Sequence, residues 1–345
     1  MGLHFKDLVI KEEIAIKDLK GKILAVDSLN MLYQFLTTIR GIDGSPLTDK
    51  KGRVTSHLIG LFTRTTALME EGLKLVFVFD GEPPEIKKKT WEKRSATKAT
   101  ALLKFQEAQE LGDLGEMKKH ASRTAVLTRD MRQDAINIIA ALGLPMVQAP
   151  SEGEAQTAYM VKQGSAYASV SQDYDNLIFG CPLLVRNLSI AGKRKKTGKL
   201  AYETIKPQLI SLPKVLEHLK LTPDQLIVLA ILVGTDYNPG GVHGIGPKNA
   251  LKLLHQYGTD FEQLFAYVGW EKASPDLSWR TIFDTIKHIP VTDHYSLEWQ
   301  QLDEARLYAL LVDEYDFSAE RVKSRLATLK ESQKQLQQKG LGSFF

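Results

Sequence analysis

Residues 22–27 read KILAVD, a short apolar run closing on an acid, and that reading decides the fold class. Such a run is a buried strand, and the acid after it emerges at the carboxyl edge of a sheet. The pattern recurs at residues 73–80, LKLVFVFD, and at residues 167–175, YASVSQDYD. Between the first two lie a periodic stretch at 28–39, the polar loop GIDGSPLTDKKG at 41–52, and a second periodic stretch at 54–70. This β-α-α-β alternation repeats with PMVQAP, a helix after Ser151, and YASV. It predicts an α/β fold, with a mainly parallel twisted central sheet and helices on both faces.

In such sheets ligands sit in the crevice beyond the carboxyl ends of the strands. Seven carboxylates end buried strands or helices and are expected there: Asp27, Asp80, Glu152, Glu154, Asp173, Asp175 and Asp236. Each has a bland reading alone. Strand-end aspartates cap helices, Ser151 with Glu154 fits a capping box, and Asp-x-Asp is a common polar turn. Asp236 resists this treatment, because it follows the apolar helix LIVLAILV and the helix dipole disfavours an acid at that end. Hard divalent cations take oxygen ligands, directly or through water. Two of them roughly 3.5–4 Å apart clamp the attacking and leaving oxygens of a phosphodiester. The expected division is Asp27, Asp80, Glu152 and Glu154 around one cation, and Asp173, Asp175 and Asp236 around the other.

The net charge of +4 is small, but its distribution is informative. KKKTWEKRSATK at 87–98 and KRKKTGK at 193–199 are strongly basic and flank the acidic pocket, an arrangement suited to a phosphodiester substrate. One cysteine, Cys181, excludes an internal disulfide framework and is expected to be a core thiol. The longest apolar run, 226–234, is shorter than the roughly 20 residues of a membrane span, and no secretory signal opens the chain.

Length allows two or three domains or one large one. The charged stretch at 84–121 buries little and is expected to project as a helical arm. CPLLVRNLSIAGKRKKTGKLAYETI, 181–205, reads as two strands joined by a basic turn. Helices are expected at 213–219, 223–234, 247–257 and 305–330, and a flexible tail after Lys330. GIGPKNA, 244–250, puts Gly244, Gly246 and Lys248 at a helix start, where backbone N–H groups and the dipole favour a phosphate; a plain helix–helix turn is the alternative. Tyr33 is either a core tyrosine or a base-stacking platform. Leu341, Phe344 and Phe345, at i, i+3 and i+4 in a polar tail, suit a partner's groove.

With these residues in hand the whole chain resembles the flap endonucleases, structure-specific 5′ nucleases of replication and repair, and the archaeal type most. The resemblance is carried by LAVDSLNMLYQFL, VFVFDGEPPEIKKK, APSEGEAQTAYM, SQDYDNLIFG, LVGTDYNPGGVHGIGPKNA and QKGLGSFF. It implies a single nuclease domain at 1–330, with an N-terminal region at 1–100, a helical arch at 84–130, an internal region at 122–260 with a helix-turn-helix at 223–257, and a clamp-binding tail at 331–345. It implies cleavage of DNA near the base of a 5′ flap with two Mg²⁺, for which Mn²⁺ substitutes. Lys87 and Arg94 would contact the scissile phosphate, and Tyr33 would stack on a base. Gly244, Gly246 and Lys248 would grip duplex DNA beside a K⁺, and Thr55, Phe317 and Arg321 would line a pocket for a 3′ flap. Gln338, Leu341, Phe344 and Phe345 match the motif that binds the sliding clamp PCNA. A monomer in the cytoplasm is implied, or in the nucleus for a eukaryotic source. The alternatives are a related 5′–3′ exonuclease or gap nuclease, and a non-catalytic DNA-junction adaptor for the clamp.

Overall fold

The computed structural model describes residues 5–87, 124–195 and 202–341, with positions 90, 100, 101, 103–105, 107, 108 and 116. Its strands are β1 (Glu12–Glu13), β2 (Ile23–Asp27), β3 (Lys74–Phe79), β4 (Met146–Gln148), β5 (Ala168–Val170), β6 (Leu183–Arg186), β7 (Gly192–Lys195), β8 (Tyr202–Ile205) and β9 (Gln208–Ser211). Seven form one sheet in the order β1-β9-β6-β5-β2-β3-β4, and β7 pairs with β8 apart from it. From β6 to β4 every pairing is parallel, whereas β9 and β1 join antiparallel at one edge. The chain runs outward from β2 through β3 to β4, then returns to lay β5 on the other side of β2. That reversal makes the carboxyl ends of β2 and β5 the topological switch point, where such sheets open a crevice.

Strand alternation divides the core. Leu24 and Val26 of β2, with Leu75 and Phe77 of β3, pack under α1 (Ser28–Thr38), α2 (Ser56–Glu70) and α3 (Arg129–Ala141). The intervening Ala25, Val76 and Val78 face α4 (Gly153–Lys162) through Ala158 and Met160. Their small size brings α4 close to the sheet. After the short α5 (Asp175–Ile178) and α6 (Leu212–Leu219) comes α7 (Pro223–Val233), apolar on every side and buried from Gln225 to Val233. A helix with no polar face has to be central. It is enclosed by α6, α8 (Pro247–Tyr257), α9 (Phe261–Tyr267), α10 (Trp270–Ala273) and α11 (Trp279–Lys287).

Three expectations are corrected. The stretch 181–205 is not one hairpin: Asn187, at φ 63°, ends β6 in the main sheet, and a 3₁₀ turn precedes the separate β7–β8 pair. The single helix expected at 305–330 is broken into α12 (Glu304–Tyr308), a π-helical turn (Ala309–Glu314) and α13 (Ala319–Leu341). Asp316 sits at φ 57° between them, a conformation that no helix continues through. The polar composition after Lys330 does not end α13, which continues to Leu341 with Gln335 Nε2 bonded to Glu331 Oε1 one turn earlier at 3.2 Å. Glu, Lys and Gln are good helix formers. Cys181 is a buried thiol, as its sequence suggests, and among the described residues no helix is long and apolar enough to cross a membrane.

Residues 289–302 form an extended strap, unforeseen in the sequence, that lays Tyr295, Leu297 and Trp299 against the α4 side of the sheet. Fully buried Gln156 of α4 fastens it, with Nε2 donating to Thr292 O and Thr292 N donating to Oε1, both at 2.8 Å. Gln156→Ala leaves both Thr292 groups unpaired and should cost about 1–3 kcal/mol, read as a lower urea midpoint; an unchanged midpoint would mean that this bond pair does not hold the strap.

Candidate active site

The crevice is built outward from Asp27. It ends β2 and caps α1, its Oδ1 accepting from Asn30 N at 3.0 Å while Oδ2 accepts from Ser171 Oγ at 3.2 Å. The capping role is real, but it uses one oxygen of two. Asn30 then reaches the loop after β5, with Nδ2 donating to Asp173 Oδ2 at 2.8 Å and Oδ1 accepting from Gln172 N at 3.0 Å. The two strand ends that flank the switch point are thereby joined by side chains.

Asp80, just beyond β3, accepts from Gly153 N at 2.8 Å. The expected Ser151–Glu154 capping box is absent: Glu152 is the N-cap residue and makes no side-chain cap bond. An acid from another strand supplies the cap instead. Gly153 permits this, because a Cβ there would stand 2.4 Å from Asp80 Oδ1. Glu152 is freed to face Lys87, whose Nζ lies 2.6 Å from Glu152 Oε2 and 3.4 Å from Asp236 Oδ2.

Asp236 is not on the helix end itself. α7 stops at Gly234, φ 112°, and a separate turn carries the acid. Thr235 Oγ1 and Asn238 Oδ1 bond each other at 2.6 Å, Asn238 Oδ1 accepts from Thr235 N, and Thr235 Oγ1 accepts from Tyr237 N. Asn238 Nδ2 returns to Ile231 O at 2.7 Å. The dipole penalty is lessened by displacement, and Lys87 supplies attraction.

The charges identify the cluster as one unit. Burial, then the Asp80 and Asp173 carboxylates, pushes Asp27 up to about 8. Burial and then Glu152 push Asp80 up to about 6. Glu154 is raised well above its ordinary value by burial, then by Asp175, Asp27 and Asp173. Burial alone would lower the Lys87 ammonium; Glu152, Asp236 and Glu154 more than reverse it. The phenol of buried Tyr237 is raised by burial and then by Glu152, Glu154, Asp236 and Asp175, and so keeps its proton. All seven acids therefore act on a common set of neighbours, and Glu154 is raised, after burial, by Asp175, Asp27 and Asp173.

Cations fit this donor set. Oxygen ligands dominate, the acids resist joint ionisation, and buried Glu152 Oε1 has no hydrogen-bond partner. Among the described residues no three His, Cys, Asp or Glu side chains are arranged to hold an ion directly.

The other expected residues lie around the crevice. Tyr33 is half-buried on α1, within two turns of Asp27. Thr55 is buried at the start of α2, its Oγ1 donating to Leu47 O at 3.3 Å. Arg53 joins that loop to the π-helical turn, bonding Glu314 and stacking 4.0 Å over Tyr315, beside half-buried Phe317 and exposed Arg321. Gly244, at φ 79°, and Gly246, the N-cap of α8, are exposed with Lys248. Gln338 and Leu341 lie on α13, while Arg94, Phe344 and Phe345 lie outside the described residues. Sequence reasoning missed Asn30, Ser171 and Arg132, whose Nη2 donates to Asp80 O at 2.8 Å. Only Asn30 had a signal, its place three residues after a strand-end acid.

A switch-point crevice lined by mutually repelling acids beside a half-buried lysine defines a hydrolase of charged phosphodiesters working with divalent cations. Residues 4–101 match the XPG N-terminal domain and residues 143–236 the XPG I-region. The chain is 50% identical to flap endonuclease 1 of Pyrococcus abyssi over 345 residues, all of this chain and 98% of that protein. It is 50% identical to flap endonuclease 1 of Pyrococcus furiosus, over all of this chain and 99% of that protein. The solved flap endonuclease-1 from Methanococcus jannaschii superposes with a TM-score of 0.73 at 42% identity, over 96% of this chain and 98% of that one. The chain belongs to the flap endonuclease family. It is a structure-specific 5′ flap nuclease that binds DNA and depends on divalent metal.

A carboxylate held above its ordinary value binds protons more readily folded than unfolded, so it lowers stability as pH rises. For Asp27 the loss spans its ordinary 3.8 to about 8. In chelator the melting temperature should therefore fall between about pH 5 and pH 8, and Mg²⁺ should restore more at the higher pH. Equal Mg²⁺ increments at both values would contradict the assignment.

Proposed function

We propose that Asp27, Asp80, Glu152, Glu154, Asp173, Asp175 and Asp236 hold two Mg²⁺, with Mn²⁺ as a substitute, and that the enzyme cuts DNA near the base of a 5′ flap to leave a 5′-phosphate and a 3′-hydroxyl. The convergence of Asp27, Asp80 and Glu154 into one cluster of raised carboxyls carries this reading. When bound, the cations supply a nucleophile at neutral pH and neutralise the leaving oxygen. The chain's own residues do the rest. Lys87, with Arg94, addresses the scissile phosphate from the arm, and Tyr33 stacks on a base beside the cut. The protonated Tyr237 phenol adds no charge to a site that must admit a phosphate.

Away from the crevice, Gly244, Gly246 and Lys248 hold a duplex backbone without reading sequence, helped by a K⁺. The open N-terminus of α8 supports this, since its N–H groups attract phosphate. Thr55, Phe317 and Arg321 form a pocket for a 3′ flap, a reading supported by the Arg53 bridge between their two segments. Gln338, Leu341, Phe344 and Phe345 dock onto PCNA. We place all of this in one nuclease domain at 1–330 acting as a cytoplasmic monomer, with residues 331–345 as the clamp-binding end.

Asp175→Ala should bind a double-flap DNA in Ca²⁺ with unchanged anisotropy, yet lose at least about 10³-fold in Mg²⁺-dependent cleavage; a wild-type rate would end the two-metal assignment. Deleting residues 338–345 should leave cleavage of a free flap within about twofold, as expected for a distant site, and abolish stimulation by PCNA. Retained stimulation would remove these residues from the clamp contact.

A further inference from the structure

Lys87 ends a 3₁₀ turn at Glu85–Lys87, and the segment that follows it is attached at a second point. Thr90 is 2% exposed, and its Oγ1 donates to the backbone carbonyl of Asp236 at 2.5 Å. Lys87, three residues earlier, reaches the Asp236 carboxylate at 3.4 Å and Glu152 at 2.6 Å. Ile86 packs against the α7 core. The segment is thus seated by an apolar contact, an ion pair and a neutral hydrogen bond, and two of the three end on Asp236.

Asp236 is a fixed point for reasons independent of the arm. The turn that carries it is closed from within by Thr235 and Asn238, which bond each other and return to Ile231 O. An ion pair alone holds a lysine loosely, because its ammonium is a point charge on a flexible stem. A buried hydroxyl–carbonyl bond is directional and ties the backbone at 90 to the backbone at 236.

We propose that Thr90 is a positioning residue for cleavage: its bond to the Asp236 carbonyl sets the base of the arm so that the Lys87 ammonium lies at the carboxylate crevice. Thr90 touches neither substrate nor cation and acts through Lys87. This rests on the reading that Lys87 serves the chemical step. Misplacement by about 1 Å is enough to slow a reaction up to about 10²-fold without loss of binding.

The test uses the full chain with a 5′-flap DNA and Mg²⁺, measuring single-turnover rate, DNA affinity and melting temperature. Thr90→Val keeps the shape and removes the hydroxyl; it should slow the single-turnover rate roughly tenfold, with unchanged DNA affinity. Thr90→Ser, which keeps the donor, should recover most of the rate. In a Lys87→Ala background Thr90→Val should add less than about twofold, since residues acting through one group are not additive. A wild-type rate for Thr90→Val, or an equally slow Thr90→Ser, overturns the proposal. So does a Thr90→Val loss that multiplies fully with Lys87→Ala, which would mean an effect by another route, and so does a rate loss matched by a fallen melting temperature in both Thr90 variants. An unimpaired Lys87→Ala overturns the role of Lys87 itself, a separate failure visible in the single variant.

Discussion

Burying carboxylates that repel one another is the constraint to which this molecule answers. Asp27, Asp80 and Glu154 are all pushed upward, each first by burial and then by a neighbouring acid. Such a cluster opposes folding unless positive charge is brought to it. Lys87 is part of that answer, a half-buried ammonium between Glu152 and Asp236. The backbone supplies partial positive charge as well, through Asn30 N on Asp27 and Gly153 N on Asp80, both at helix starts. What these donors leave unsatisfied, Glu152 Oε1 among it, is the affinity offered to cations. Catalysis and folding are therefore opposed at one place, and the rigid sheet edge is what holds the acids together.

The sequence shows Asp27 and Asp80 clearly because each ends an apolar run, and a strand that stops at a carboxylate delivers it to a known edge. It shows less of how they are held. The capping box at Ser151–Glu154 was a sound local reading, displaced by a contact with Asp80 from another strand that no local pattern reveals. Asp236 looked misplaced on a helix end and sits instead on a turn of its own, because the Gly234 conformation releases it. Chain order alone does not show which acids are neighbours in the crevice: after burial, Glu154 is raised by Asp175, Asp27 and Asp173.

The fold was legible where periodicity is strong and illegible where contacts alone make the structure. β2, β3 and the helices α1, α2, α7 and α8 follow their apolar patterns. The strap at 289–302 has no period, and exists because Gln156 and the apolar face beneath it bind it. The break in the helix before Phe317 is likewise imposed by tertiary contacts: Arg53 stacks on Tyr315, whose hydroxyl donates to Asp134 at 2.5 Å.

The length of α13 has a mechanical meaning. Val322, Leu326 and Leu329 are its buried residues among those described, and Arg325 pins it to α2 through Thr66 and Glu70. Lys330 still pairs with Glu304 at 2.7 Å, and the helix backbone continues from there to Leu341, about 16 Å further at the 1.5 Å rise of a helix. A load applied at that end would pass along the helix to Arg325 and so to α2, instead of being lost in a slack tether.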